Sequence, residues 1–282
     1  MGPTALVTDS TAYLPAELVK QHHITVVPLY VNFGEESYRD GVDISPDEFY
    51  KRLPTARVMP TTSQPSRGDF ATVYQKLVQE GATSILSVHI SSILSGTISS
   101  ALMARDDVPE VPIHVVDSLS TSMGLGFMAL QAAQELADGH PPEEIARRIE
   151  ALRERVRVYF VVDTLEFLHR GGRIGGAAAF LGSMLSLKPL LALREGRIEP
   201  LERVRTKHRA VERMLELVVG EFAGRPVRVA AIHAGVIDEG RALLEQLQAR
   251  LDCRECQLAA VSPVIGTHAG PGTVGVVIYP AD

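Results

Sequence analysis

The chain has 282 residues, 45% hydrophobic and 22% charged, with a formal net charge of −6. Such a length gives one large domain or two ordinary ones with ample core, and the composition is that of a globular protein. The acidic balance argues against general nucleic-acid binding, which uses a strongly basic surface.

In chain order, short β-branched runs alternate with amphipathic stretches. Ala5–Thr8, Ile24–Val31, Ser84–His89, Ile113–Val116 and Val158–Val162 read as strands. Ser45-Pro46-Asp47-Glu48 is a capping box with proline at the first helical position. Pro142-Glu143-Glu144 opens another helix, with Ile145, Ile149, Leu152 and Val156 on one face. This alternation predicts an α/β fold whose first domain, residues 1–163, is a mainly parallel sheet flanked by helices.

Residues 164–282 read as a second α/β domain containing an antiparallel element. Thr164–His169 is a short helix closed by Gly171-Gly172, and Ala177–Leu187 an unusually apolar helix. Leu190–Arg194 and Arg197–Arg203 flank Glu195-Gly196, a hairpin signal. A helix over Arg209–Phe222, a strand over Val227–His233, a helix over Glu239–Leu251 and strands at Gln257–Val261 and Val274–Tyr279 follow.

Neither membrane nor cysteine chemistry is expected. The most apolar stretch, Gly175 to Leu193, is broken by Lys188 and Pro189 and is too short and Gly-rich for a span. The N-terminus carries no signal-peptide pattern, so a soluble cytoplasmic protein is expected. Cys253 and Cys256 have C-x-x-C spacing in the charged segment Asp-Cys-Arg-Glu-Cys. A zinc site needs two further ligands and a redox pair belongs at a helix start, so a surface pair without chemistry is expected.

Hydroxyls follow the strands: Asp9-Ser10-Thr11, then Ser91 to Thr97, then Asp117-Ser118 with Ser120-Thr121-Ser122. In an open parallel sheet ligands bind beyond the carboxyl ends of the strands, so these loops form one crevice. Hydroxyls, backbone N–H groups and a helix N-terminus suit an anion there, and Gly96 allows close approach. Thr61-Thr62-Ser63 adds to the set. For any single loop, helix capping explains the hydroxyls equally well. No phosphate-binding glycine loop and no G-x-S-x-G elbow occur. His268, set among Gly270, Pro271 and Gly272, is expected on a shaped loop where it can donate to a carboxylate. Phe180, Leu181, Met184, Leu185 and Leu187 are either plain core or one wall of an apolar tunnel.

Thr8-Asp9-Ser10-Thr11-Ala12-Tyr13-Leu14-Pro15, Thr61-Thr62-Ser63-Gln64-Pro65-Ser66, Ser92-Ile93-Leu94-Ser95-Gly96-Thr97, Leu168-His169-Arg170-Gly171-Gly172-Arg173-Ile174 and His268-Ala269-Gly270-Pro271-Gly272 together resemble the DegV family. The motifs occur in the family's order and span the chain. The resemblance implies two α/β domains holding a long-chain fatty acid, and service as the fatty-acid-binding subunit of bacterial fatty acid kinase. Such a carrier presents its acid to a separate ATP-dependent kinase, which phosphorylates the carboxylate for phospholipid synthesis. By motif position, Thr62, Ser95 and His268 contact the carboxylate, with Gly96 and Thr97 in support. No cofactor, metal or nucleic acid is implied, and transient membrane contact for lipid exchange is compatible with the role.

Between Arg170 and Arg209 basic residues predominate, a bias that fits either a partner surface or solvated faces. Arg170 and Arg173, beside tight glycines, are candidates for contact with the kinase. The rival reading is a lipid or ester hydrolase with Ser95 as nucleophile, His268 as base and Asp9 or Asp117 as orienter. A small-molecule sensor or sugar-binding module is a second rival.

Overall fold

The computed structural model describes residues 3–183 and 187–281. The first half begins with β1 (Thr4–Asp9), α1 (Ala16–Gln21), β2 (Ile24–Val27), β3 (Tyr30–Phe33) and β4 (Glu36–Arg39). Then come α2 (Pro46–Arg52), β5 (Thr61–Ser63), α3 (Arg67–Gln79), β6 (Ser84–His89), α4 (Thr97–Arg105) and β7 (Ile113–Asp117). Two helices close this half, α5 (Met123–Ala137) and α6 (Pro142–Leu152).

The second half contains β8 (Arg157–Val161), α7 (Glu166–Arg170), a 3-10 segment (Gly175–Ser183), β9 (Lys188–Arg194) and β10 (Arg197–Val204). It continues with α8 (Lys207–Phe222), β11 (Pro226–His233), α9 (Ile237–Arg250), β12 (Asp252–Ala260), α10 (Pro263–Ala269) and β13 (Val274–Pro280). The fold is α/β, with a parallel sheet flanked by helices and a larger mixed sheet.

The parallel sheet has the order β2-β1-β6-β7. The chain leaves β1 for β2 on one side and returns with β6 on the other. The carboxyl ends of β1 and β6 therefore bound a switch-point crevice. Phe70 and Tyr74 of α3 pack with Ala101 and Ala104 of α4 on one face. On the other lie Met123, Phe127 and Met128 of α5 with Ile145 and Ile149 of α6. The capping box before α2 is present, Ser45 Oγ accepting from Glu48 N–H and the Glu48 carboxylate from Ser45 N–H.

The larger sheet runs β10-β9-β8-β13-β11-β12. Its two faces follow the alternation of side chains along a strand. Tyr159, Val161, Val229 and Val276 face Met214, Leu215 and Val218 of α8 and Leu243 and Leu247 of α9. Val158, Phe160, Leu191, Ile232 and Val277 turn to α5 and the parallel sheet. Each such side chain contributes roughly 1.5–3 kcal/mol when fully buried. A one-residue slip would reverse both faces, which fixes the register.

Several expectations are adjusted. The single strand over Ile24–Val31 is two, because Pro28 has no N–H for a ladder. β2 pairs with β1, while β3 joins a small antiparallel sheet of order β4-β3-β5. β8, grouped with the first half on sequence, is antiparallel to β9 and β13 in the larger sheet. The hairpin forms at Glu195-Gly196, where both residues have positive φ as a tight hairpin turn requires.

The apolar helix expected over Ala177–Leu187 is instead a 3-10 segment over Gly175–Ser183, pressed onto β10. A Cβ on Gly175 would lie 2.3 Å from the Ile198 carbonyl oxygen. Met184 and Leu185 lie outside the described residues. Cys253 and Cys256 are half-buried on β12 rather than fully at the surface. Among the described residues no helix is long and apolar enough to cross a membrane.

Candidate functional site

Three segments converge beyond the carboxyl ends of the strands. The first is the loop Ile90–Gly96 after β6. Leu94 N–H and Ser95 N–H both donate to the Ser91 carbonyl, while Ser91 Oγ donates to the Gly196 carbonyl at 2.9 Å. The hairpin turn of the larger sheet is thereby fastened to the crevice of the smaller one. Ser95 Oγ lies 2.9 Å from Thr97 Oγ1 at the start of α4. Thr97 is fully buried, and a Cβ on Gly96 would meet the Gln64 amide at 2.6 Å. Gly96 and Thr97 therefore shape the loop from behind, and Ser95 alone of the three lines the cavity.

The second segment is β5. Val31 of β3, buried, pairs with Thr62, which leaves the Thr62 side chain at the cavity. The third is α10, opened by Ser262, whose Oγ accepts from Ile265 N–H, with Pro263 at the first position. His268 is in the last turn of this helix, not on a loop. The following glycines end the helix: Gly270 and Gly272 have φ of +80° and +78°.

The His268 ring packs against α7. A Cβ on Gly171 would lie 2.1 Å from His268 Nδ1, so only glycine admits the ring there. His268 Nε2 is 2.8 Å from Thr62 Oγ1. Burial, with the Arg173 charge behind it, lowers the His268 pKa to about 4, which leaves a neutral ring at neutral pH. A neutral ring that donates through Nε2 to Thr62 frees the threonine proton for a third group.

These polar groups close one end of a narrow apolar cavity between the two sheets. It leaves about 90 Å³ for the centre of a water molecule. Its walls are Ile90, Val158, Phe160, Leu193, Ile198 and Ile232, with Val264 and Ile265 from α10. The larger sheet thus supplies the wall, and of the two readings of the apolar segment the described residues follow plain core packing. Phe180 and Leu181 pack against the adjoining core instead. Hydroxyls and an imidazole at one end of an apolar slot suit the head of an amphiphile.

Arg173 and Arg170 separate. Arg173 lines the cavity, where Nε donates to the Leu94 carbonyl at 3.0 Å and Nη1 to the Gly171 carbonyl at 2.7 Å. Arg170 is exposed on α7 and pairs with Glu166 at 2.7 Å. Several other basic residues of this region pair with acids, among them Lys188 with Asp163 and Lys207 with Glu239.

The expected orienters lie elsewhere. Asp9 accepts from Ile90 N–H and lies 3.0 Å from His89 Nδ1, while Asp117 accepts from Leu119 N–H. Ser95 is bonded to Thr97 and His268 to Thr62, so the expected series of Ser95, His268 and an aspartate does not form. Ser87, His89 and Asp9 do stand in series, but all three are fully buried and outside the cavity lining.

Gln64, Thr121 and Ser122 also line the cavity, and individual roles for them were not read from sequence. Ser122 has φ +52°, a strained value for serine, and Thr121 Oγ1 is buried without a hydrogen-bond partner among the described residues. The Ser120-Thr121-Ser122 run was the available signal.

A sequence model of the DegV family matches residues 3–281. A DegV domain-containing protein of Streptomyces coelicolor is 42% identical, covering 97% of each chain. A fatty-acid-binding DegV family protein from Thermus thermophilus superposes with a TM-score of 0.93 at 42% identity, over 99% of each chain. DegV of Bacillus subtilis, a fatty-acid-binding protein, gives a TM-score of 0.91 at 38% identity, over 99% of this chain and 100% of that one.

Proposed function

The chain belongs to the DegV family, and on that premise we propose that it holds a long-chain fatty acid without transforming it. The carboxylate rests on Thr62, Ser95 and His268, and the alkyl chain occupies the apolar slot between the sheets. The observation that carries this reading is the contact of Thr62 with His268 at the polar end of a cavity otherwise walled by Val158, Phe160, Leu193 and Ile232.

The energetics support it. A carboxylate out of water needs several donors, which the Ser95 and Thr62 hydroxyls and the Arg173 guanidinium supply. Each buried methylene adds roughly 0.8 kcal/mol, so the slot provides most of the affinity and the polar end fixes orientation. Solved relatives described as fatty-acid-binding favour the same ligand class.

The protein is on this reading a cytoplasmic carrier that presents the carboxylate to a separate ATP-dependent kinase for acyl phosphate formation. It exchanges its lipid by transient membrane contact. Arg173 at the cavity and exposed Arg170 on the adjoining helix fit a partner that handles phosphate. The hydrolase alternative is disfavoured by Ser95 and His268 having separate partners. Gentle purification, lipid extraction and mass spectrometry test the assignment. Recovery of a long-chain acid at near one equivalent is expected; no acid recovered and none taken up on addition overturns it.

A further inference from the structure

Residues three apart on a regular strand point to opposite faces, so Cys253 and Cys256 should be separated by the sheet. The β11–β12 register prevents this. Val227 pairs with Cys253, Arg228 with Glu255 and Val229 with Cys256, leaving Arg254 as the extra residue of a bulge. Both cysteines therefore stand opposite valines of one face, and both pack against the core beneath α8 and α9.

The valines they oppose, Val227 and Val229, are same-face neighbours about 6.6 Å apart, at the upper end of the Cα separation a disulfide spans, and the two thiols lie within hydrogen-bonding reach of each other. β12 is the edge of the larger sheet, so its thiols are approached without opening a ladder on that side. Both thiols are free and half-buried.

We propose that Cys253 and Cys256 are a reversible redox site, which forms an intrachain disulfide by exchange with a small-molecule disulfide. The Cys256 thiolate attacks one sulfur of the small disulfide, joins it and expels the other half as a thiolate. Cys253 then gives up its proton and attacks the Cys256 sulfur of the mixed disulfide, releasing the second half. Two protein thiols are oxidised, one small disulfide is reduced to two thiols, and the two protein protons end on those thiols. Burial, then interaction with Cys256, pushes the Cys253 thiol up to about 12, and the exchange balances equally with the two cysteines' roles reversed. A bridge at the wide end of the geometric range is easily reduced, which suits a reversible site more than a structural one.

The test uses the full chain in glutathione buffers of graded oxidised-to-reduced ratio, with alkylation, intact mass and tryptic mapping. Trypsin cuts after Arg254, between the two cysteines, so a bridge leaves two peptides joined. Both thiols should disappear together, with a mass lower by two hydrogens and linked peptides that separate on reduction. In C253S a glutathione adduct should accumulate on Cys256. Both thiols remaining alkylatable in fully oxidised buffer overturns the proposal, as do separate adducts on the two cysteines of the unmutated chain without linkage.

Discussion

His268 Nε2 and Thr62 Oγ1 stand 2.8 Å apart although 206 residues separate them in the chain. One comes from the last turn of a short helix in the second half, the other from a three-residue strand in the first. Their contact completes the polar end of the cavity.

Removing either partner should weaken fatty-acid binding without unfolding the protein. A hydrogen bond to a charged group contributes about 1.5–3 kcal/mol, so Thr62→Val, Ser95→Ala and His268→Ala should each lower affinity roughly 10- to 100-fold. Displacement of a fluorescent fatty acid measures this. Unchanged affinity in all three variants would remove the carboxylate assignment.

The His268 ring gives a signature in acid. Its folded pKa of about 4 lies below the ordinary histidine value, so between those two values the unfolded chain binds the extra proton. Stability from the neutral ring is full above about pH 6.5 and is lost as pH falls through 4. His268→Gln has no such proton, so the stability gap between variant and parent should narrow or reverse toward pH 4. Urea unfolding of both proteins at several pH values reads it; a gap independent of pH would contradict the buried neutral ring.

Asp40 should act with the opposite sign. Burial, opposed by hydrogen bonding to Ser10, raises its pKa to about 7. A raised carboxyl favours folding in its protonated form, so stability is full below about pH 3.9 and is lost as pH rises through 7. Asp40→Asn keeps an uncharged acceptor for Ser10 Oγ, which lies 2.9 Å from Asp40 Oδ2. The variant should gain on the parent as pH rises from 5 to 8, seen as a growing difference in urea midpoint. A constant difference would show that Asp40 is ionised throughout.

Gly171→Ala should damage the site through His268. The new Cβ would fall 2.1 Å from Nδ1, and neither the ring nor the helix end can yield cheaply. Overpacking of this kind costs about 1–3 kcal/mol. The variant should lose both stability and fatty-acid affinity, and G171A/H268A should recover the stability but not the affinity. Equal stability losses in the single and double variants would show that the ring is not what the methyl displaces.

Much of this was legible from local pattern. Alternation of strands and helices gave the α/β class, Ser45 to Glu48 gave a helix start, and Glu195-Gly196 gave the hairpin. Each rests on neighbours in the chain. Hydroxyl-rich loops after β6 and β7 pointed to the cavity for the same reason, since strand ends and helix starts are local features. Asp9-Ser10-Thr11 after β1, expected in the same crevice, is instead buried outside its lining and bonded to His89 and Asp40. The ordered motifs narrowed that crevice to Thr62, Ser95 and His268.

Three-dimensional packing decided what each residue does there. Asp9 belongs to His89, Ser95 to Thr97, and His268 to Thr62. Arg173 comes to the cavity, while Arg170, three residues earlier, pairs with Glu166 at the surface. The wall of the slot is a sheet face, and the apolar segment, which sequence left as either core or wall, lies against β10 in a 3-10 conformation.

By itself the sequence determined the periodicities, the turn chemistry and the supply of polar groups at the strand ends, because these depend on residues a few positions apart. Only the tertiary structure decided which donor meets which acceptor, which face of β8 and β11 lines the slot, and how deeply His268 is buried. Those depend on the register of strands far apart in the chain, where one residue of slip exchanges every inward side chain for an outward one.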